Sequence, residues 1–178
     1  MGGDAGLYSG DCTLETALPK VFQSGEFLIG VAGTNRLAQI VRYVFAPPEV
    51  NGSDLHAYLV KDFVIALRSC LRDNGGECDN TDDDSDAPET IMAGRMLVGL
   101  RGRIFGIDGS YGVAEVRSPF QAIGSGAVEA RAAMFTARAV AQPELMPGDR
   151  LVQCALNAAV EFDSAIRQPF TILKLSTG

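Results

Sequence analysis

The chain has one histidine among 178 residues, and its four cysteines, Cys12, Cys70, Cys78 and Cys154, are scattered without C-x-x-C spacing. A tetrahedral zinc site draws on closely spaced Cys and His pairs, so neither a metal nor any other cofactor is expected. Thiols placed this way read as free side chains of a reducing compartment. His56 falls inside an amphipathic helical pattern, which argues against a histidine base facing a pocket. Positive charge is scarce as well: 15 Lys and Arg stand against 22 Asp and Glu, a formal net charge of −7. That balance argues against nucleic acid and anionic membrane as partners. No apolar run approaches the roughly 20 residues that span a bilayer. The N-terminus also lacks the basic-then-apolar pattern of a secretory leader, so a cytoplasmic protein is expected.

What is present reads as one globular domain over 1–178, with 47% hydrophobic and 21% charged residues. Lys20–Val21–Phe22 reads as a strand, Ser24-Gly25 as a hairpin turn, and the glycine-bounded run GEFLIGVAG as a buried strand. Apolar residues at helical spacing predict helices over 35–46 and 54–71, with Thr34 or Asn35 and Ser53 or Asp54 as caps. The polar stretch 72–90 predicts an acidic surface loop. Calcium is a sharper reading of it, but no register gives the EF-hand order of acids, glycine and final glutamate. A hairpin is expected near Met96–Ile107 and Val113–Val116 around IDGSYG, then helices over 127–141 and 149–162 and a strand over Pro169–Leu175.

Strands in hairpins and helices in consecutive pairs predict an α+β fold, with two stacked antiparallel sheets each covered by a helix pair. The strand–helix alternation of a Rossmann fold is missing, and no G-x-G-x-x-G follows the first strand. GSGAVEA has the flavour of a phosphate loop without its Gly-Lys-Ser/Thr ending.

In that order, four pieces converge: GGDAG, Lys20 in PKVF, IGVAGTNR, and GRIFGIDGSYGVAEVRSPFQAIGSGAVEARAAM. Together they resemble the proteasome β-subunit family, in particular its simple bacterial branch of HslV-type peptidases and their phage and bacterial relatives. The resemblance covers nearly the whole chain, and AIGSG before an Ala-rich helix is its most specific piece. It implies the four-layer αββα sandwich of N-terminal-nucleophile hydrolases, a homo-oligomeric ring, peptide or unfolded-protein substrates, and an ATP-dependent unfoldase as a possible partner.

The resemblance also implies a chemistry. The family nucleophile is the side chain of an N-terminal Thr whose own α-amino group serves as base. Lys20 matches the lysine that eases ionisation of that hydroxyl, and Asp4 the carboxylate that orients the lysine. Gly33 falls where a backbone N–H stabilises the oxyanion. Ser125 matches the serine beside the terminal amine, and Asp163 is a looser match to an acidic residue near the end of the last helix. Each residue also has an ordinary reading. Asp4–Lys20 reads as a surface ion pair worth under about 1 kcal/mol. Gly33 reads as a turn before a helix, and Ser125 as an N-cap.

The opening residues, MGGDAGLYSG, bear on activity. In the family, Gly-Gly-Asp ends a hairpin whose first strand begins with the nucleophilic Thr. Met1 matches a hydrophobic residue of the second strand, so the resemblance implies that the nucleophile-bearing strand is absent here. Ser9, Cys12 and Thr13 follow the Asp, where an outside turn is expected. Three readings stay open: a peptidase whose catalytic start lies upstream, a catalytically inactive homologue with a structural or assembly role, and an acidic binding module unrelated to proteolysis.

Overall fold

The computed structural model describes residues 1–9, 12–79, 90–141 and 146–175. The chain opens on a short strand, β1 (Gly2–Gly3), followed by an antiparallel hairpin of β2 (Gly6–Ser9) and β3 (Cys12–Glu15). The hairpin corrects the expected outside turn: Ser9 lies opposite Cys12 in its ladder, and Thr13 belongs to β3. β4 (Val21–Ser24) and β5 (Phe27–Gly33) form the expected hairpin, with Ser24 opposite Phe27. Gly25 turns the chain there at φ 57°, a left-handed geometry that L side chains resist.

Helix α1 (Asn35–Tyr43) starts at Thr34, whose hydroxyl accepts the Leu37 amide at 3.2 Å. It ends before the expected residue 46, because the Val44 and Phe45 amides both close onto the Ile40 carbonyl. The next helical run comprises α2 (Leu55–Tyr58), a π-helical stretch (Leu59–Phe63) and α3 (Val64–Asn74). Asp54 caps it by accepting the Ala57 amide at 3.0 Å. The run continues past Leu71, and Gly75 stops it at φ 72° with its amide bonded back to the Leu71 carbonyl.

The stretch 72–90 is therefore not one loop. Its first residues complete α3, and its flanks pair as β6 (Glu77–Asp79) and β7 (Thr90–Met92). Residues 80–89, which hold most of its acidic side chains, lie outside the described residues. Met96–Ile107, expected as one arm of a hairpin, is two strands: β8 (Gly94–Leu100) and β9 (Arg103–Ile107). Arg101 and Gly102 turn between them at φ 45° and 78°, and Arg101 bonds Glu26 of the neighbouring turn at 2.6 Å. IDGSYG then joins β9 to β10 (Val113–Glu115). α4 (Ala127–Val140) and α5 (Gly148–Phe162) follow. The expected last strand shortens to β11 (Thr171–Ile172), which pairs antiparallel with β1.

The result is a mixed α+β fold with antiparallel sheets, the main one ordered β10-β9-β8-β5-β4. Side chains alternate across its strands. Phe27, Ile29, Val31, Met96, Val98 and Phe105 face α1 and α3, where they pack with Leu37, Leu59, Phe63 and Leu67. Phe63 is fully buried and meets Phe45 edge-on, with ring centroids 5.1 Å apart. α4 and α5 form a separate cluster through Ala130, Met134, Leu151, Ala155 and Ala159. Among the described residues, no helix is long and apolar enough to cross a membrane.

Candidate functional site

The Asp4 carboxylate is a junction. Its Oδ1 accepts from Lys20 Nζ at 2.7 Å. Its Oδ2 accepts the Gly6 amide at 2.7 Å and the Arg167 amide at 3.3 Å. The Asp4 side chain is 12% exposed and that of Lys20 30%, so this is a half-sheltered pair rather than a freely solvated one. Sequence proximity explains half of the arrangement, since β1 leads into Asp4 and Lys20 immediately precedes β4. The other half comes from the C-terminal loop, whose Arg167 carbonyl also accepts the Ala5 amide at 2.8 Å. That loop lies so close that a Cβ on Gly6 would sit 2.2 Å from the Ala165 carbonyl.

Gly33 ends β5 on the strand next to Lys20. The Val31 amide donates to the Lys20 carbonyl at 2.9 Å, and the Thr34 amide donates the opposite way, to Ala93, at 3.0 Å. Strand alternation therefore aims the Gly33 N–H to the β4 side, beyond the start of that strand, and it has no backbone acceptor among the described residues. Glycine is required here for a reason besides turning. Gly33 has φ 153°, and an added Cβ would meet the Ala93 carbonyl at 2.3 Å and Gly94 Cα at 2.6 Å.

Ser125 is exposed and does not cap α4: the N-cap is Gly126, with no side-chain cap bond. Asp163 is the C-cap of α5. The Ser125 hydroxyl holds the Asp163 carboxyl below the ordinary Asp range, helped by the Ala165 amide at 2.8 Å and the positive charges of Lys20 and Arg167. The loop after α5 joins the two carboxylates, its Ala165 amide donating to Asp163 and its Arg167 amide to Asp4. Gly33 adjoins the Ser125 segment through Ala32, because a Cβ on Gly124 would stand 3.5 Å from Ala32 Cβ.

These groups stand beside a slot of about 630 Å³ between the inner face of the main sheet and the α4–α5 pair. Asp4, Lys20 and Ser125 line it; Gly33 and Asp163 do not, although Ala32, next to Gly33, does. The walls are mostly apolar, including Leu28, Leu97, Met134, Leu151 and Ala155. Met1 reaches in, its sulfur within 2.8 Å of where a Gly30 Cβ would stand. The Met1 amine donates to the Leu173 carbonyl at 2.7 Å, and burial, then Lys174, pushes its pKa down.

The fold of this chain is shared with solved structures at low identity. BPH, a bacterial proteasome homologue from Thiobacillus denitrificans, superposes with a TM-score of 0.72 at 20% identity, over 99% of this chain and 92% of its own. HslV from Trypanosoma brucei gives 0.59 at 19%, over 96% and 88%. Anbu from Pseudomonas aeruginosa, seen as a helical assembly, gives 0.63 at 12%, over 95% and 73%. The fold is proteasome-like. No family model matches the chain, and no curated protein matches it in sequence.

Within this proteasome-like frame, sequence reasoning missed Arg167, Ala165 and Gly6. They supply the backbone groups that fix the two carboxylates and the space for the loop to approach them. No motif marks them, since a backbone donor can come from any residue but proline.

Proposed function

We propose that this chain is a subunit of a proteasome-like threonine peptidase, with the nucleophile on a strand outside these 178 residues. The observation that carries the reading is the Asp4–Lys20 pair standing at an apolar slot with the free Gly33 amide and Ser125 nearby. A nucleophilic hydroxyl placed there would have an ammonium beside it to favour its ionised form. The Gly33 N–H would receive the negative charge that develops on the attacked carbonyl oxygen. Ser125 and Asp163 would orient the terminal amine that takes the proton.

The slot supports the missing strand. Its walls are mostly apolar, and at about 630 Å³ it leaves room for a further strand beside β1. Met1 already pairs with Leu173, so a strand antiparallel to β1 would find Gly2 and Gly3 at the slot wall. With it, β1 and β11 become part of a second inner sheet, and the architecture is a four-layer αββα sandwich. Exposed Val128, Phe135, Val140 and Phe162 on α4 and α5 support assembly into a homo-oligomer.

The test is turnover of fluorogenic peptide amides. The chain extended upstream and processed to expose a Thr hydrolyses them, and the 178-residue chain does not. An extended chain that folds, carries that Thr and remains inert overturns the reading.

A further inference from the structure

Gly33 owes its place to Ala93 and Gly94 on the neighbouring strand. The Thr34 amide donates to the Ala93 carbonyl at 3.0 Å, and Gly33 stands opposite Gly94 in the β5–β8 register. The approach is close from both sides: a Cβ on Gly94 would meet the Ala32 carbonyl at 2.3 Å and Gly33 Cα at 2.8 Å. Backbone meets backbone there, so a movement of the Ala93–Gly94 peptide passes directly to the Gly33 amide.

Ala93 is itself held from its other side. Its amide donates to the Gly76 carbonyl at 3.1 Å, and the preceding Met92 amide to the Gly109 carbonyl at 2.9 Å. Those carbonyls belong to two separate segments, the turn after α3 and the turn between β9 and β10. One side-chain bond ties the two segments together: the Tyr111 hydroxyl donates to Glu77 Oε1 at 2.5 Å. Gly76–Glu77, Met92–Ala93 and Gly109–Tyr111 thereby close into a three-sided hydrogen-bonded frame.

The Tyr111–Glu77 side of the frame is no incidental surface contact. Tyr111 is buried at φ 67°, a left-handed conformation that a bulky residue adopts only at a cost. The Glu77 side chain is 8% exposed, and the Arg68 guanidinium lies over the Tyr111 ring at 5.3 Å. A sheltered carboxylate accepting from a hydroxyl makes a strong, directional bond. Neither residue lines the slot, so any part they take in the site is indirect.

We propose that Tyr111 and Glu77 are positioning residues for the Gly33 amide. Their bond closes the frame that fixes Ala93 and Gly94, and these fix where the Gly33 N–H stands. The use of that N–H for an oxyanion rests on the peptidase reading; the coupling through the frame does not.

The experiment is the amide NMR spectrum of the folded 178-residue chain, and it needs no turnover. Tyr111→Phe removes the hydroxyl but keeps the ring, so a displaced Gly33 signal reports moved backbone. Tyr111→Phe and Glu77→Met both displace the Gly33, Thr34 and Ala93 signals, while Leu28, near the other end of β5, stays in place. Glu77→Gln retains an oxygen that accepts from the phenol and keeps all of them near their unsubstituted positions. Gly33 and Thr34 signals that stay in place in Tyr111→Phe overturn the proposal. So does a displacement in Glu77→Gln as large as that in Glu77→Met, which would assign the effect to the charge. An inert extended chain would sink the peptidase reading and leave this result standing.

Discussion

Lys20 Nζ lies 2.7 Å from Asp4 Oδ1, and the two residues have unequal stakes in that contact. Removing Lys20 leaves Asp4 with two amide donors, from Gly6 and Arg167. Removing Asp4 strands all three donors at once. A sheltered donor left unsatisfied costs about 1–3 kcal/mol. Asp4→Ala is therefore expected to lose more stability in urea unfolding than Lys20→Ala. Equal losses would show that the contact behaves as an exposed ion pair.

Two glycines separate crowding from conformational preference. Gly25 has φ 57° with open space around it, whereas Gly33 has φ 153° and backbone atoms where a Cβ would go. Gly25→Ala is expected to cost about 1 kcal/mol, the left-handed penalty alone. Gly33→Ala must also push β5 away from β8, so its loss should be at least twice as large by the same unfolding measurement. A mild Gly33→Ala would contradict the close approach of Gly33 to Gly94.

The slot makes a prediction of its own. Gly99 faces it, and an added Cβ would meet only ordinary contacts, Leu28 Cβ at 3.5 Å and Met1 Cε at 4.0 Å. Gly99→Val adds a β-preferring, apolar side chain to underfilled space. Calorimetry should show a higher Tm for the 178-residue chain. A lower Tm would mean that the slot is already filled to native density.

The pH dependence follows from Asp163. Its folded pKa is depressed, first by the Ser125 hydroxyl, so the stabilisation is present above the ordinary carboxylate range and is lost as pH falls through the depressed midpoint. Ser125→Ala should therefore lower stability at neutral pH and converge with the unsubstituted protein in acid. A difference that persists unchanged below that midpoint would place the contribution of Ser125 elsewhere.

The sequence made part of this architecture legible. The β4–β5 hairpin and the Thr34 cap follow from local patterning, and Gly, Asp and Ser mark the β9–β10 turn. The Arg101-Gly102 turn was hidden because arginine is an unusual left-handed residue, and its bond to Glu26 is a long-range fact. Arg72, Asp73 and Asn74 look like loop by polarity, but they complete a helix whose stop signal is Gly75. The π-helical stretch at Leu59–Phe63 has no counterpart in the apolar spacing. The family resemblance named Asp4, Lys20, Gly33, Ser125 and Asp163 as site candidates, and the structure joins Asp4 to Lys20. Their main-chain partners were not legible, because hydrogen-bonding backbone carries no residue signature.

The central claim is that Lys20 serves a nucleophile supplied by a strand outside these residues. Its most direct test is peptide-amide turnover by the upstream-extended, processed chain with and without Lys20→Ala, with folding of both checked by their amide spectra. The account predicts turnover in the first and its loss by at least about 100-fold in the second, the scale of removing a group that assists proton transfer. Full activity in a folded Lys20→Ala protein would contradict it.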